Sequence, residues 1–200
     1  MPKTDFIIAG VGGQGVILAS DLLGEVALAT GRDVKKADVI GMAQRGGEVV
    51  SHIRWGDKVY SPLIKRGGAD YLLGMEKLEA ARWAAYLAPG GLAVVNDHSI
   101  LPMTVTTGGT AYPTDDVLFG ALRQRTDRVF VLDGQALAQA NAVPGAVNLL
   151  LLGYMAWHMG IAEELWLDAI ARRVPTRFLQ ADQQAFLLGY HEAQKVGATV

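Results

Sequence analysis

Apolar residues fall in short blocks separated by glycine, and the spacing within each block predicts alternating strands and helices. Phe6-Ile7-Ile8-Ala9-Gly10 is a continuous apolar run ending in glycine, the pattern of a buried strand. From Val16 to Thr30 the apolar positions suit a mostly buried helix, which Gly31 ends. Asp33 to Ile40 reads as a second strand. Glu48 to Trp55 then alternates, with Val49, Ser51, Ile53 and Trp55 on one side and Val50, His52 and Arg54 on the other. With Gly56-Asp57-Lys58 as a turn and Val59-Tyr60-Ser61 returning, this predicts a β-hairpin. The α/β rhythm resumes with a strand at Ala69–Met75, a helix at Glu76–Leu87 and a strand at Leu92–Asn96. A loop at Asp97–Thr114, with a short strand at Met103–Val105, leads to a helix at Asp115–Thr126 and a strand at Arg128–Leu132. Helices at Gly134–Ala142, Ala146–Ile161, Ala162–Val174 and Thr176–Val196 complete the chain. No repeat or linker interrupts this. The expected fold is a single Rossmann-like α/β/α domain over residues 1–200: a mostly parallel sheet with an inserted antiparallel hairpin and a helical C-terminus.

Composition narrows the function classes. Of 200 residues, 50% are hydrophobic and 19% charged, against about 25% charged in an average domain. A surface this apolar suggests a subunit interface, so the isolated chain is expected to self-associate or to expose an apolar face, with Trp55, Trp83, Trp157 and Trp166 as large areas to cover. The net charge of −2 argues against nucleic acid and anionic membrane as partners. The most apolar stretch, Ala146 to Ile161, carries Asn148 and His158 and falls short of the ~20 residues that span a bilayer. The start of the chain, polar from Met1 to Asp5, does not look like a secretory leader, and a cytoplasmic location is expected. With no cysteine, the chain has no thiol nucleophile and no thiolate ligand for an iron–sulfur cluster.

Two loops hold the candidate chemistry. Gly10-Val11-Gly12-Gly13-Gln14-Gly15 fits G-x-G-x-x-G between a strand and a helix, where glycines allow a tight turn and free helix N–H groups face an anion. It reads as a dinucleotide loop, as an anion- or partner-binding loop, or as close strand–helix packing. Asp38 lies 23 residues beyond Gly15, but Val39 and Ile40 follow it before the loop, and the hairpin stands where a dinucleotide fold has its second crossover helix. Gly41-Met42-Ala43-Gln44-Arg45-Gly46-Gly47 is a second glycine loop following a strand. Arg45 either forks onto a carboxylate or phosphate, or pairs within the chain. Asn148 is a cap, a buried polar anchor or a ligand contact. His158, in an apolar helix, reads as a satisfied core residue. The four histidines have no metal spacing, and Asp115-Asp116 and Arg172-Arg173 sit where helix ends favour those charges.

These two loops, with Val50-Ser51-His52-Ile53-Arg54, Tyr60-Ser61-Pro62-Leu63-Ile64, Ala69-Asp70, Pro89-Gly90-Gly91, Tyr112-Pro113, Asn148, Gly153 and Arg173-Val174-Pro175, resemble the gamma-type subunits of 2-oxoacid:ferredoxin oxidoreductases over nearly the whole chain. The Met-Ala-Gln-Arg-Gly-Gly form and the Tyr-Ser-Pro-Leu run favour the indolepyruvate (aryl-pyruvate) branch. The resemblance implies an accessory subunit, inactive alone, of a complex that oxidatively decarboxylates aryl pyruvates to aryl-acetyl-CoA and reduces ferredoxin. Thiamine diphosphate, Mg and iron–sulfur clusters are then expected on a large partner subunit, none in this chain, with CoA and ferredoxin met through the complex. The ligand- or partner-binding residues are expected to be Gly12, Gly13, Gln14, Gly15, Met42, Gln44, Arg45, Gly46, Gly47 and Asn148, and no catalytic residue is assigned. The competing reading is a stand-alone dinucleotide- or phosphate-binding Rossmann-like protein.

Overall fold

The computed structural model describes residues 3–41 and 47–197. Its strands are β1 (Thr4–Val11), β2 (Asp33–Ile40), β3 (Glu48–Gly56), β4 (Ala69–Gly74), β5 (Leu87–Asn96) and β6 (Val129–Leu132). They form one sheet in the order β2-β3-β1-β4-β5-β6. β1, β4, β5 and β6 are parallel. β3 is antiparallel to both β1 and β2, so β2 points the same way as β1. The helices are α1 (Val16–Ala29), α2 (Lys77–Trp83), α3 (Met103–Thr106), α4 (Asp115–Arg123), α5 (Gly134–Ala140), α6 (Val147–Trp157), α7 (Glu163–Arg173) and α8 (Thr176–Gly197). The expected three-layer α/β architecture with three C-terminal helices is therefore present.

Both faces of the sheet are covered, as the unbroken apolar run of β1 requires. Phe6 and Ile8 enter the larger core with α1, α6, α7 and α8, while Ile7 and Ala9 enter the smaller one under α2 and α4. α6 is buried at every position from Asn148 to Ala156 because it lies between the sheet and α8. Its contact with α8 is backbone against backbone. A Cβ on Gly153 would lie 2.0 Å from the Phe186 carbonyl oxygen, and one on Gly189 1.8 Å from that of Leu150.

Four expectations change. The inserted hairpin pairs β3 with the upstream β2, not with Val59–Ser61. β3 is an interior strand, matched along its length by β1 and β2, so no edge is left for a third partner. The following segment is held from the side instead: Val59 N–H donates to Asp33 Oδ2 at 2.9 Å. Met103–Thr106 is one helical turn rather than a strand, tied off by the Thr106 and Thr107 hydroxyls donating to the Met103 carbonyl. Glu76 does not begin a long helix but caps α2, its carboxylate accepting the Glu79 N–H, and a 3-10 turn over Ala84–Tyr86 leads into β5. The tryptophans are not the exposed apolar surface: Trp55 and Trp166 are buried, and Val39, Ile40, Tyr60, Leu63 and Met103 are exposed instead. Among the described residues, no helix is long and apolar enough to cross a membrane.

Candidate functional site

β1 ends at Val11 and the chain turns sharply into α1. Gly13 (φ 98°) and Gly15 (φ 78°) take left-handed conformations that only glycine adopts without strain. Gly10 is glycine for a different reason: a Cβ there would lie 2.8 Å from Met75 Cβ. Gln14 holds the turn from inside. Its Oε1 accepts the Val11 N–H at 2.8 Å and its Nε2 donates to the Met75 carbonyl at 2.9 Å, tying the loop to the end of β4. Among the described residues no side chain caps the 14-residue α1 at Gly15, and the first-turn N–H groups have no partner within the helix.

The two glycine loops leave the same edge of the sheet because β1 and β2 share a direction. The strands are not neighbours, since β3 runs between them, yet the loops meet: Gly12 N–H donates to the Gly47 carbonyl at 2.9 Å. Gly41 N–H closes the base of the second loop on the Glu48 carbonyl at 2.7 Å. Met42, Gln44, Arg45 and Gly46 lie outside the described residues. Gly12, Gly13, Gln14, Gly15 and Gly47 are thus gathered in one place, and Asn148 joins them. It is the second residue of α6, not its cap, and a Cβ on Gly15 would lie 2.3 Å from its Nδ2.

Beside the loops lies a cavity of about 530 Å³, lined by Gly13, Gly15, Met75, Asn96, His98, Gln135, Asn148 and Asp182 among others. It opens at the carboxyl ends of β1, β4 and β5, where open α/β sheets bind ligands. Its walls carry carboxamides rather than paired charges. Asn96 donates to the Met75 carbonyl and accepts the Gly134 N–H. Gln135 Oε1 is buried with no hydrogen-bond partner among the described residues. Burial raises the carboxyl pKa of Asp182. No nucleophile–base pair lines the cavity, and no cluster of metal-ligating residues exists among the described residues. The described lining offers hydrogen-bonding groups around a largely apolar space. Asp38 does not serve a ribose here. It is two strands away from β1, where it accepts the Ser51 hydroxyl and pairs with Lys36.

The chain's spacing did not reveal a second polar cluster, on the α2 side of the same edge. Fully buried Glu76 accepts N–H groups from Glu79 (2.8 Å) and Ile100 (3.2 Å) and the Tyr112 hydroxyl. Burial, with Glu76 beside it, pushes the Tyr112 phenol well above its ordinary range. Glu79 is pushed up to about 7 by burial, against the pull of Arg82 and with Glu48 and Glu76 adding to it. Its Oε1 accepts from Arg82, while Oε2 has no partner among the described residues. Glu48 accepts the Trp83 indole N–H at 2.9 Å. Glu at the cap and again three residues on was the available signal for Glu76 and Glu79. His158 corrects another expectation: it packs against Phe130, Tyr154 and Trp157, but its Nε2 is buried without a partner among the described residues. Burial, with nearby Arg128 adding to it, lowers its pKa to about 4, so the ring is neutral.

A family model described as pyruvate ferredoxin/flavodoxin oxidoreductase matches residues 5–192. The chain is 35% identical over 195 residues to indolepyruvate oxidoreductase subunit IorB of Archaeoglobus fulgidus, with 96% of each chain covered. It is 34% identical over 199 residues to the protein of that name from Thermococcus kodakarensis, with 98% of each covered. Among solved structures, the gamma subunit of a keto/oxoacid ferredoxin oxidoreductase from Geobacter sulfurreducens superposes with a TM-score of 0.72 at 23% identity, covering 98% of both chains. A 2-oxoglutarate:ferredoxin oxidoreductase from Magnetococcus marinus, solved with 2-oxoglutarate, coenzyme A and succinyl-CoA, contains the fold as 32% of its chain, with a TM-score of 0.74 at 17% identity.

Proposed function

Because this chain belongs to the pyruvate ferredoxin/flavodoxin oxidoreductase family, we propose that it is the small accessory subunit of an aryl-pyruvate (indolepyruvate) oxidoreductase. In this reading a larger partner carries thiamine diphosphate, Mg and the iron–sulfur clusters, and the complex converts an aryl 2-oxoacid to an acyl-CoA while reducing ferredoxin. The observation that carries the role of this chain is the Gly12–Gly47 hydrogen bond, which joins both glycine loops beside the cavity. Relatives named for indolepyruvate along their full length support the branch. The chain has no cysteine for a cluster, and no step of the chemistry is assigned to its residues.

The surface formed by Gly12, Gly13, Gly15, Gly47 and Asn148 meets either the large subunit or coenzyme A. The Magnetococcus enzyme, solved with coenzyme A, supports the second occupant. NAD is disfavoured by the interior antiparallel β3 and by the bonds that hold Asp38.

Co-expression with a cysteine-rich, thiamine-dependent large subunit tests the proposal. CoA-dependent reduction of a viologen dye is expected with indolepyruvate at a kcat/KM roughly ten-fold or more above that with pyruvate or 2-oxoglutarate. The isolated chain should give none. Arg45→Ala is expected to weaken assembly or acyl-CoA formation by about 2–5 kcal/mol while leaving the fold's stability unchanged. Turnover by the isolated chain, or a preference for 2-oxoglutarate, overturns the reading.

A further inference from the structure

We infer that the outer edge of β2 is a homodimer interface, at which a second copy of this chain adds its own β2, antiparallel and centred on Ala37, to make one continuous sheet. Among the described residues β2 closes the sheet on one side and is paired with β3 alone. Its register against β3 is unbroken from Asp33↔Gly56 to Ile40↔Val49, so alternate residues along the strand offer a straight row of outward backbone groups with no bulge to blunt it. At its far end Val39 is 51% and Ile40 66% exposed.

The sequence of the strand selects the occupant. Two copies related by a two-fold axis through the sheet place residues of the same face opposite each other, so the axis passes through one residue. An axis at Lys35 or Lys36 sets lysine against lysine, and one at Asp38 sets aspartate against aspartate. An axis at Val34 brings Arg32 against Lys36, and one at Val39 sets Asp38 against Ile40. At Ala37 every pair is compatible: Lys36 opposes Asp38 of the second copy, Val34 opposes Ile40, and the Lys35 stem covers Val39. A palindrome of this kind is what a self-paired strand needs and what an unrelated partner has no use for.

The flank agrees. α1 lies over β2, and its Ser20, Gly24 and Leu28 line a shallow groove of about 190 Å³ with Val34, Lys36 and Arg173. Leu28 is 60% exposed, and a Cβ on Gly24 would meet nothing within 4 Å. Asp21, Glu25 and Asp38 are balanced there by Lys36, Arg172 and Arg173, each acid paired with a base. Two such flanks approach without net repulsion.

The absence of cysteine makes the test direct, because one introduced thiol reports alone. In the proposed register Ala37 faces itself, with a Cα separation of about 4.5–5.5 Å, inside the range a disulfide bridges. The full chain is expected to sediment as a dimer at about 100 μM. Under mild oxidation Ala37→Cys should cross-link at least about ten-fold faster than Lys35→Cys or Val39→Cys. Ile40→Lys should shift the chain to monomer with its circular dichroism and melting unchanged. A wild-type monomer at that concentration, or Ala37→Cys linking no faster than its neighbours, overturns the proposal. So does a wild-type monomer in which only the large subunit shields Ala37→Cys from a thiol reagent, for the edge then belongs to a different partner.

Discussion

The two faces of the sheet are closed by different means. On the α6–α8 face the layers meet backbone to backbone, through Gly153 and Gly189, around a large and almost wholly apolar core. On the α2–α4 face the core is small, the carboxylates of Glu76 and Glu79 lie buried, and His52 packs against Trp83 and Tyr86. Volume limits what the first face tolerates, and charge limits the second. The glycine-loop edge is anchored from both. Asn148 of α6 packs on Gly15, while Trp83 of α2 holds Glu48 at the base of the second loop. Disturbing either face therefore reaches the candidate site by a different route.

The largest effect is expected where volume rules. Gly189→Ala places a methyl 1.8 Å from the Leu150 carbonyl oxygen, which forces α6 and α8 apart. The expected loss is about 3 kcal/mol or more, read by thermal or denaturant unfolding. Gly24→Ala is the control, also within a helix but with nothing within 4 Å of the new methyl. It should be neutral or stabilising by up to about 1 kcal/mol. Equal melting of the two variants would mean that the close helix approach does not set the tolerance of this face.

The charge-limited face is expected to show itself through pH. The Glu79 carboxyl is raised from 4.5 to about 7, chiefly by burial. Between those values the folded chain holds a proton that the unfolded chain has lost. The stability this contributes is full below about pH 4.5 and is lost as pH rises through 7. Glu79→Gln is neutral throughout, so its stability relative to wild type should climb between pH 5 and 8 by about 1–3 kcal/mol. His158 on the opposite face has the reverse sign. Its pKa is lowered from 6.5 to about 4, so its burial costs stability as pH falls through that range. A flat difference between Glu79→Gln and wild type would show that Glu79 titrates normally, and the contrast between the faces would fail.

The strands and helices of the first forty residues were legible because their signals are local: an apolar run, a glycine turn, a helical apolar face, a glycine stop. β3 was legible as a strand and not in its pairing. Its alternation sets polar residues on both sides, and Ser51 and His52 are buried, bonded to Asp38 and to the Ile64 N–H, while Arg54 reaches the carboxylate of Asp5. Polar residues that meet partners across an interior strand look, in sequence, like residues that meet water. Both glycine loops were visible, and the direction shared by β1 and β2 was enough to bring them together. The bracing of Gln14 on Met75 was not visible, since it spans 61 positions. Nor were the roles of Asn96, Gln135 and Glu76, which follow from where three strands end.

The smallest expected effect separates burial from charge on the α2–α4 face. Glu48 adds to the elevation of Glu79, after burial and against Arg82. Glu48→Gln keeps a carbonyl oxygen for the Trp83 indole and removes only the charge. Glu79 should then ionise more easily, its midpoint moving below about 7. The pH window over which stability is lost should move down with it, by a fraction of a unit, with a change of less than about 1 kcal/mol at pH 8. Carboxyl titration followed by nuclear magnetic resonance reads the midpoint directly. An unmoved midpoint would leave the elevation to burial and Glu76 and would uncouple the second loop's base from α2. A lowered one would make the anchor of that loop a charge-sensitive contact, in contrast to the packing of Asn148 on Gly15 across the sheet.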